Sequence, residues 1–275
     1  MLKTLWLIIS FNFIYVFAYS QTVRQTIIIA DSLCKWGETD RAVKLYERVG
    51  FFATAKQDRR KAFSKLADIY ATKGELDKAV KTIDLAYYNT IDDSIKKELL
   101  FRKTYYFIVK HDFLSAQETL LSIDTTGDKY LDNRYLLYSG TVAYLQSNFN
   151  MAYESFSALV NDTITLAKLM KKAKRKNKIN PFLYFIMSLA IPGSGQLATG
   201  HIKQGLNSML LLSALGGLFV AIAKSYTWID AGAIVFPWYQ RYLLGGANDA
   251  STYASKMKEK KLYSIYRQVT SLIVE

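Results

Sequence analysis

A chain of 275 residues with one cysteine and two histidines has little from which to build a metal centre or an imidazole-based triad. Cys34 has no partner for an intramolecular disulfide, and His111 and His201 stand 90 positions apart. No catalytic, cofactor-binding or metal-ligating residue is expected, and the chain reads as a non-enzyme. Acidic residues are also scarce in one half. Residues 1–163 hold 21 Lys or Arg against 19 Asp or Glu, but residues 164–275 hold 15 against 4. Of the formal charge of +13, +11 therefore belongs to the second half. Seven of these cations fall within eleven positions, at Lys168, Lys171, Lys172, Lys174, Arg175, Lys176 and Lys178. The run lacks the interleaved aromatics on which nucleic-acid bases would stack, so nucleic acid is not the expected partner. It ends two residues before an apolar region begins, where anionic lipid headgroups are the expected counter-charge.

Long uncharged runs, by contrast, are present. Residues 205–223 (GLNSMLLLSALGGLFVAIA) carry no charge over 19 positions, about 28 Å of helix, enough to cross the hydrocarbon core of a bilayer. A second and weaker segment, 228–247, contains Asp230, Pro237 and Arg241. Residues 182–191 are too short to span and read as a re-entrant or interfacial helix ended by Pro192. From residue 249 the chain is amphipathic, with Lys256, Lys258, Lys260 and Lys261 beside Met257, Leu262 and Ile265, and is expected to lie along a membrane surface. At the other end, residues 1–20 hold Lys3, an apolar run and then Ala18-Tyr19-Ser20, the pattern of a cleaved secretory signal.

Between signal and basic run the sequence repeats. Alanines recur at Ala42, Ala79, Ala116 and Ala152, spaced by 37, 37 and 36. The clearest unit, residues 62–90, places Leu66 and Tyr70 on one helix face, Gly74 in a turn, and Ala79, Ile83 and Ala86 along a second helix. The small alanine suits close approach of two antiparallel helices. Residues 26–54 repeat the pattern with Leu33, Gly37, Ala42 and Tyr46. Residues 100–128 put His111 where glycine is usual, and residues 136–161 put Ser147 there. This series resembles the tetratricopeptide repeats, and the resemblance implies a stacked helical array that captures a protein partner on its surface.

A second resemblance rests on Pro192, Gly193, Gly195 and Gln196, followed by Gly200 and Gly205, together with Trp238-Tyr239 and the stretch Gly245-Gly246-Ala247-Asn248-Asp249-Ala250 with Tyr253. These residues are similar to a bacterial envelope family marked by Pro-Gly-x-Gly-Gln ahead of a short transmembrane hairpin; here Ala198 replaces the family's usual aromatic. The glycines lack the Lys-Ser/Thr of a phosphate-binding loop and are read as close-approach points for backbones.

The expected architecture is thus all-α: a signal peptide (1–20), tetratricopeptide-like repeats (21–163), a basic juxtamembrane linker (164–179), a membrane domain (180–248) and an amphipathic C-terminal helix (249–275). The function these features imply is a membrane-tethered scaffold in an envelope-assembly or membrane-protein biogenesis complex. The alternative is a small subunit of an insertion or secretion complex whose hairpin is the functional part. The signal places the repeats in the periplasm of a bacterium, anchored to its inner membrane. Yet both flanks of a hairpin over 205–247 would carry the Lys/Arg excess on that same side, against the positive-inside tendency. The repeats could instead be cytoplasmic, the basic flanks could bind anionic lipid or a partner outside, or one segment alone could span.

Overall fold

The computed structural model describes residues 22–274, so the signal segment lies outside the described residues. Those residues form 13 α-helices and no strand. Six of them make three helix pairs: α1 (Val23–Lys35) with α2 (Thr39–Phe52), α3 (Lys56–Thr72) with α4 (Leu76–Tyr88), and α5 (Asp93–Val109) with α6 (Phe113–Leu121); α7 (Lys129–Leu145) and α8 (Phe149–Ser157) follow in the chain.

One turn is used four times. Gly37, Gly74, His111 and Ser147 all have positive φ, between 62° and 81°. In each turn the next residue's N–H reaches back five positions, from Glu38 to Leu33, Glu75 to Tyr70, Asp112 to Phe107 and Asn148 to Ala143. The turn residue itself donates three positions back, and together the two bonds satisfy the last carbonyls of the helix. The repeating sequence positions therefore encode a repeating backbone stop, a helical repeat-like fold.

The described residues divide into two compact units, with the boundary between residues 142 and 143. In the first, Ala42, Ala79 and Ala116 are fully buried, as the close helix approach requires. Ion pairs between successive helix pairs follow the same period. Lys65 faces Asp31 at 3.7 Å and Arg102 faces Asp68 at 2.5 Å, one period later; Lys73 pairs with Asp40 and Lys110 with Asp77 at 2.6 Å, again one period later. The ladder does not continue. Tyr105 and Ser139 stand one period beyond Asp68 and Arg102, and Leu114 and Ser147 one period beyond Asp77 and Lys110. The next inter-helix ion pair has another register: Arg134 of α7 reaches Glu98 of α5.

The second unit takes the end of α7, α8, α9 (Thr163–Asn177), α10 (Pro181–Ala190), the short α11 (Ser194–Ala198), α12 (Ile202–Ser225) and α13 (Trp228–Val274). α13 is one helix of 47 residues, about 70 Å long, with Pro237 inside it. The break expected near residue 249 is absent, because Ala247, Ala250 and Ala254 are fully buried and the packing carries straight through. Past that point Ile265 and Val269 are buried too, and α13 packs against α9, whose inner face is Leu166, Leu169, Met170 and Ala173. The Tyr144 hydroxyl donates to the Leu262 carbonyl at 2.8 Å, and its ring meets Tyr266. The apolar side expected to rest on a membrane is therefore covered by protein. Residues 163–177 and the last third of α13, far apart in sequence, pack together, with α10 to α12 inserted between them in the chain.

α12 is the one described helix long and apolar enough to cross a membrane: its 18-residue window has a mean hydropathy of 2.0 and only 6% of it is buried. It runs antiparallel to the first half of α13, with His201 beside Tyr253 at one end and the turn at Tyr226 at the other.

Candidate functional site

The base of this helical hairpin is a polar lock inside an apolar setting. Ile191 leaves α10 in an extended conformation, and Gly193, at φ 84°, starts α11. α11 delivers Gln196, 1% exposed, between three helices. Its Oε1 accepts the Ser188 hydroxyl of α10 at 2.8 Å, and its Nε2 donates to the Gly246 carbonyl of α13 at 2.6 Å. A long contact of 3.5 Å joins the same Nε2 to Ser208 of α12. Ser188, also 1% exposed, accepts the Gly195 N–H at 3.0 Å, and the Ser194 hydroxyl donates to the Met187 carbonyl. Every polar atom of this buried cluster that needs a partner has one, as such networks must to be stabilising.

The glycines make the approach possible. A Cβ on Gly193 would fall on the Gly205 carbonyl oxygen, and one on Gly195 would lie 2.6 Å from Ser188 Oγ. On Gly205 it would sit 2.7 Å from Leu197 Cγ and 2.9 Å from the Gly193 oxygen. The space that a phosphate would take in a glycine cradle is filled by the chain's own atoms. Gly200 differs: its φ of 85° demands glycine, but nothing lies within 4 Å of a Cβ there. It turns the chain into α12 without packing. Pro192 is half-buried before the turn. Beside the lock the His201 ring stacks on Tyr253 at 3.7 Å with an interplanar angle of 7°. Thus Gly193, Gly195, Gln196 and Gly205 converge as one cluster. Ser188, Ser208 and Gly246 complete it. The two serines were visible in the sequence as hydroxyls within apolar helical runs, but nothing local linked them to Gln196.

The basic run is α9 and its C-cap. Lys168, Lys171, Lys172, Lys174, Arg175 and Lys178 are exposed and Lys176 half-buried, with Lys171 and Lys174 bordering a groove beside Tyr153 and Glu154 of α8. Ala152, the fourth repeat alanine, is fully buried in α8. In the first unit the half-buried Tyr70 donates to Glu47 at 2.9 Å, and burial with that carboxylate pushes its pKa up to about 12. Burial likewise raises the phenols of Tyr46 and Tyr106, each hydrogen-bonded to an aspartate, Asp31 and Asp68.

At the far end of the hairpin, Asp230 is occupied in capping. Its carboxylate accepts the Thr227 hydroxyl at 2.6 Å while its own N–H donates back to that hydroxyl at 3.2 Å. Among the described residues no group of three His, Cys, Asp or Glu could hold a metal ion. The donors and acceptors of the lock are satisfied by one another, and these bonds join α11 to α10 and α13. No family model, curated protein or solved structure matches this chain.

Proposed function

We propose that the chain is a non-enzymatic membrane-tethered scaffold: α12 and the first half of α13 enter a bilayer, the lock at their base holds them to the rest of the second unit, and the helical repeats capture a protein partner. The observation that carries this reading is α12 itself, 24 residues long with a window of mean hydropathy 2.0 that is 6% buried. A helix so apolar in a water-soluble protein would be covered by its own core. Leu210 is instead 71% exposed, and Leu218 and Val220 about half exposed. Tyr226 and Trp228 at the hairpin tip suit headgroup depth, and the cations of α9, close in sequence to the base, suit anionic headgroups. The tetratricopeptide resemblance supports the partner-binding role, and the Ala18-Tyr19-Ser20 signal supports a periplasmic array on an inner membrane.

The test is extraction and truncation. The full chain should remain in the membrane pellet after alkaline carbonate, whereas Leu210→Arg with Leu218→Arg, both at exposed positions, should release a folded protein. Extraction of the wild-type chain would sink the tether. Deleting residues 22–128 should leave membrane association intact and abolish capture of the partner; retention of the partner by the remaining hairpin would instead favour a small insertion or secretion subunit.

A further inference from the structure

α12 and α13 do not close on each other along their whole length. Near the base the pair is shut, with Leu212 only 4% exposed and Ser208 against Gly246. Towards the tip, Leu215, Gly216 and Phe219 face Gly232, Val235 and Phe236 across a groove of about 870 Å³. A Cβ on Gly216 or Gly232 would meet nothing within 4 Å, so the floor is open because those side chains are missing. On the rim Trp228 is 73% exposed and Phe236 60%.

Length and charge select the occupant. The groove runs from Trp228 to Tyr239, eleven residue steps or about 16 Å of helix, which is half the hydrocarbon thickness of a bilayer. A second copy of α12, or a partner's spanning helix, needs a seat over about 30 Å and would find this one closed at its midpoint. The lining carries no charged group. Charges occur at the tip end, where Asp230 is engaged by Thr227 and Lys224 lies in the last turn of α12. A hydrocarbon chain half a bilayer long beneath an anion is an acyl chain of a phospholipid.

We propose that the tip half of the hairpin seats one acyl chain of an anionic phospholipid from the leaflet remote from the lock, its phosphate beside Lys224. This rests on the hairpin crossing the bilayer. The occupant completes the packing that Gly216 and Gly232 leave open, and the lipid is held by shape along the chain and by charge at the head.

The full-length protein, reconstituted in vesicles doped with an anionic phospholipid carrying a diazirine at mid-chain, tests this directly. After irradiation, adducts should concentrate on Phe219 and Phe236, severalfold over Leu206 and Leu210 on the outward face of α12. Gly216→Leu with Gly232→Leu should remove the groove adducts and leave those at Leu210 unchanged. Lys224→Gln, which leaves the groove intact, should lower groove labelling by the anionic probe but not by its neutral counterpart. Equal labelling around both helices means an ordinary lipid annulus and overturns the site. Efficient Ile229→Cys crosslinking between two chains with loss of groove adducts assigns it to a second copy and also overturns it. Absence of adducts on either helix defeats the bilayer reading itself.

Discussion

Removing the Gln196 side chain should loosen the hairpin base by an amount that the geometry bounds. Two of its hydrogen bonds are short, 2.8 Å to Ser188 and 2.6 Å to the Gly246 carbonyl, while the 3.5 Å contact to Ser208 adds little. Each neutral bond contributes about 1 kcal/mol net, so the polar loss is about 2 kcal/mol. The site is 1% exposed, and truncation to alanine leaves a hole where the carboxamide was, for about 1–2 kcal/mol more. A total of about 3–4 kcal/mol raises the open population roughly 150- to 900-fold. The assay is thiol labelling of Ala247→Cys, a fully buried position on α13, in a Cys34→Ser full-length background. When closing outpaces labelling, the rate follows the opening equilibrium. Gln196→Glu keeps the shape but replaces the amide donor with an oxygen against the Gly246 carbonyl, and should open the base as well. An acceleration below about threefold for Gln196→Ala, under 1 kcal/mol, would mean that glycine packing alone holds the base and that the polar lock is incidental.

The glycines of the motif should rank by what each would meet. Gly193→Ala combines positive φ with backbone collision and should cost about 3 kcal/mol or more, Gly205→Ala about 1–3, and Gly200→Ala, strained but in open space, about 1, all read by the same labelling. His111→Gly and Ser147→Gly should each raise stability by about 0.5–1 kcal/mol in denaturant titrations, because both residues hold positive φ in turns where Gly37 and Gly74 serve elsewhere. Asp40 and Asp77 are held below their ordinary value of 3.8, chiefly by hydrogen bonds from Lys73 and Lys110. Their contribution is fully present above that value and is lost as pH falls through the lower folded pKa. Acidification below about pH 4 should therefore lower the melting temperature, less steeply in a Lys73→Met, Lys110→Met variant. Tyr70 behaves in the opposite sense. Its neutral phenol stabilises the fold below pH 10.0, and this is lost as pH rises through about 12, so its absorbance change should come late and vanish in Tyr70→Phe.

The repeat half was legible because its signals are local. A residue that must adopt positive φ, an alanine at a helix crossing and a fixed period are all written within 37 positions, and the backbone turns at Gly37, Gly74, His111 and Ser147 follow directly. The hairpin base was half legible. Gly193, Gly195, Gln196 and Gly205 stand out in sequence, but their partners Ser188, Ser208 and Gly246 are set by how three helices meet, which no local pattern records. The course of α13 was not legible. Its segment after residue 249 has the amphipathic pattern of a surface helix, and a pattern cannot say whether its apolar side meets lipid or α9. Burial of Ile265 and Val269 decides for α9.

The most direct test of the tether places single cysteines, in a Cys34→Ser background, at Lys129 in the repeat half and at Lys224 at the hairpin tip. Cells with a permeabilised outer membrane are treated with a maleimide that cannot cross the inner membrane. A hairpin crossing from the periplasm predicts labelling at Lys129→Cys and protection at Lys224→Cys until lysis. Labelling of both positions in intact inner-membrane vesicles of either orientation would contradict a hairpin that spans the bilayer.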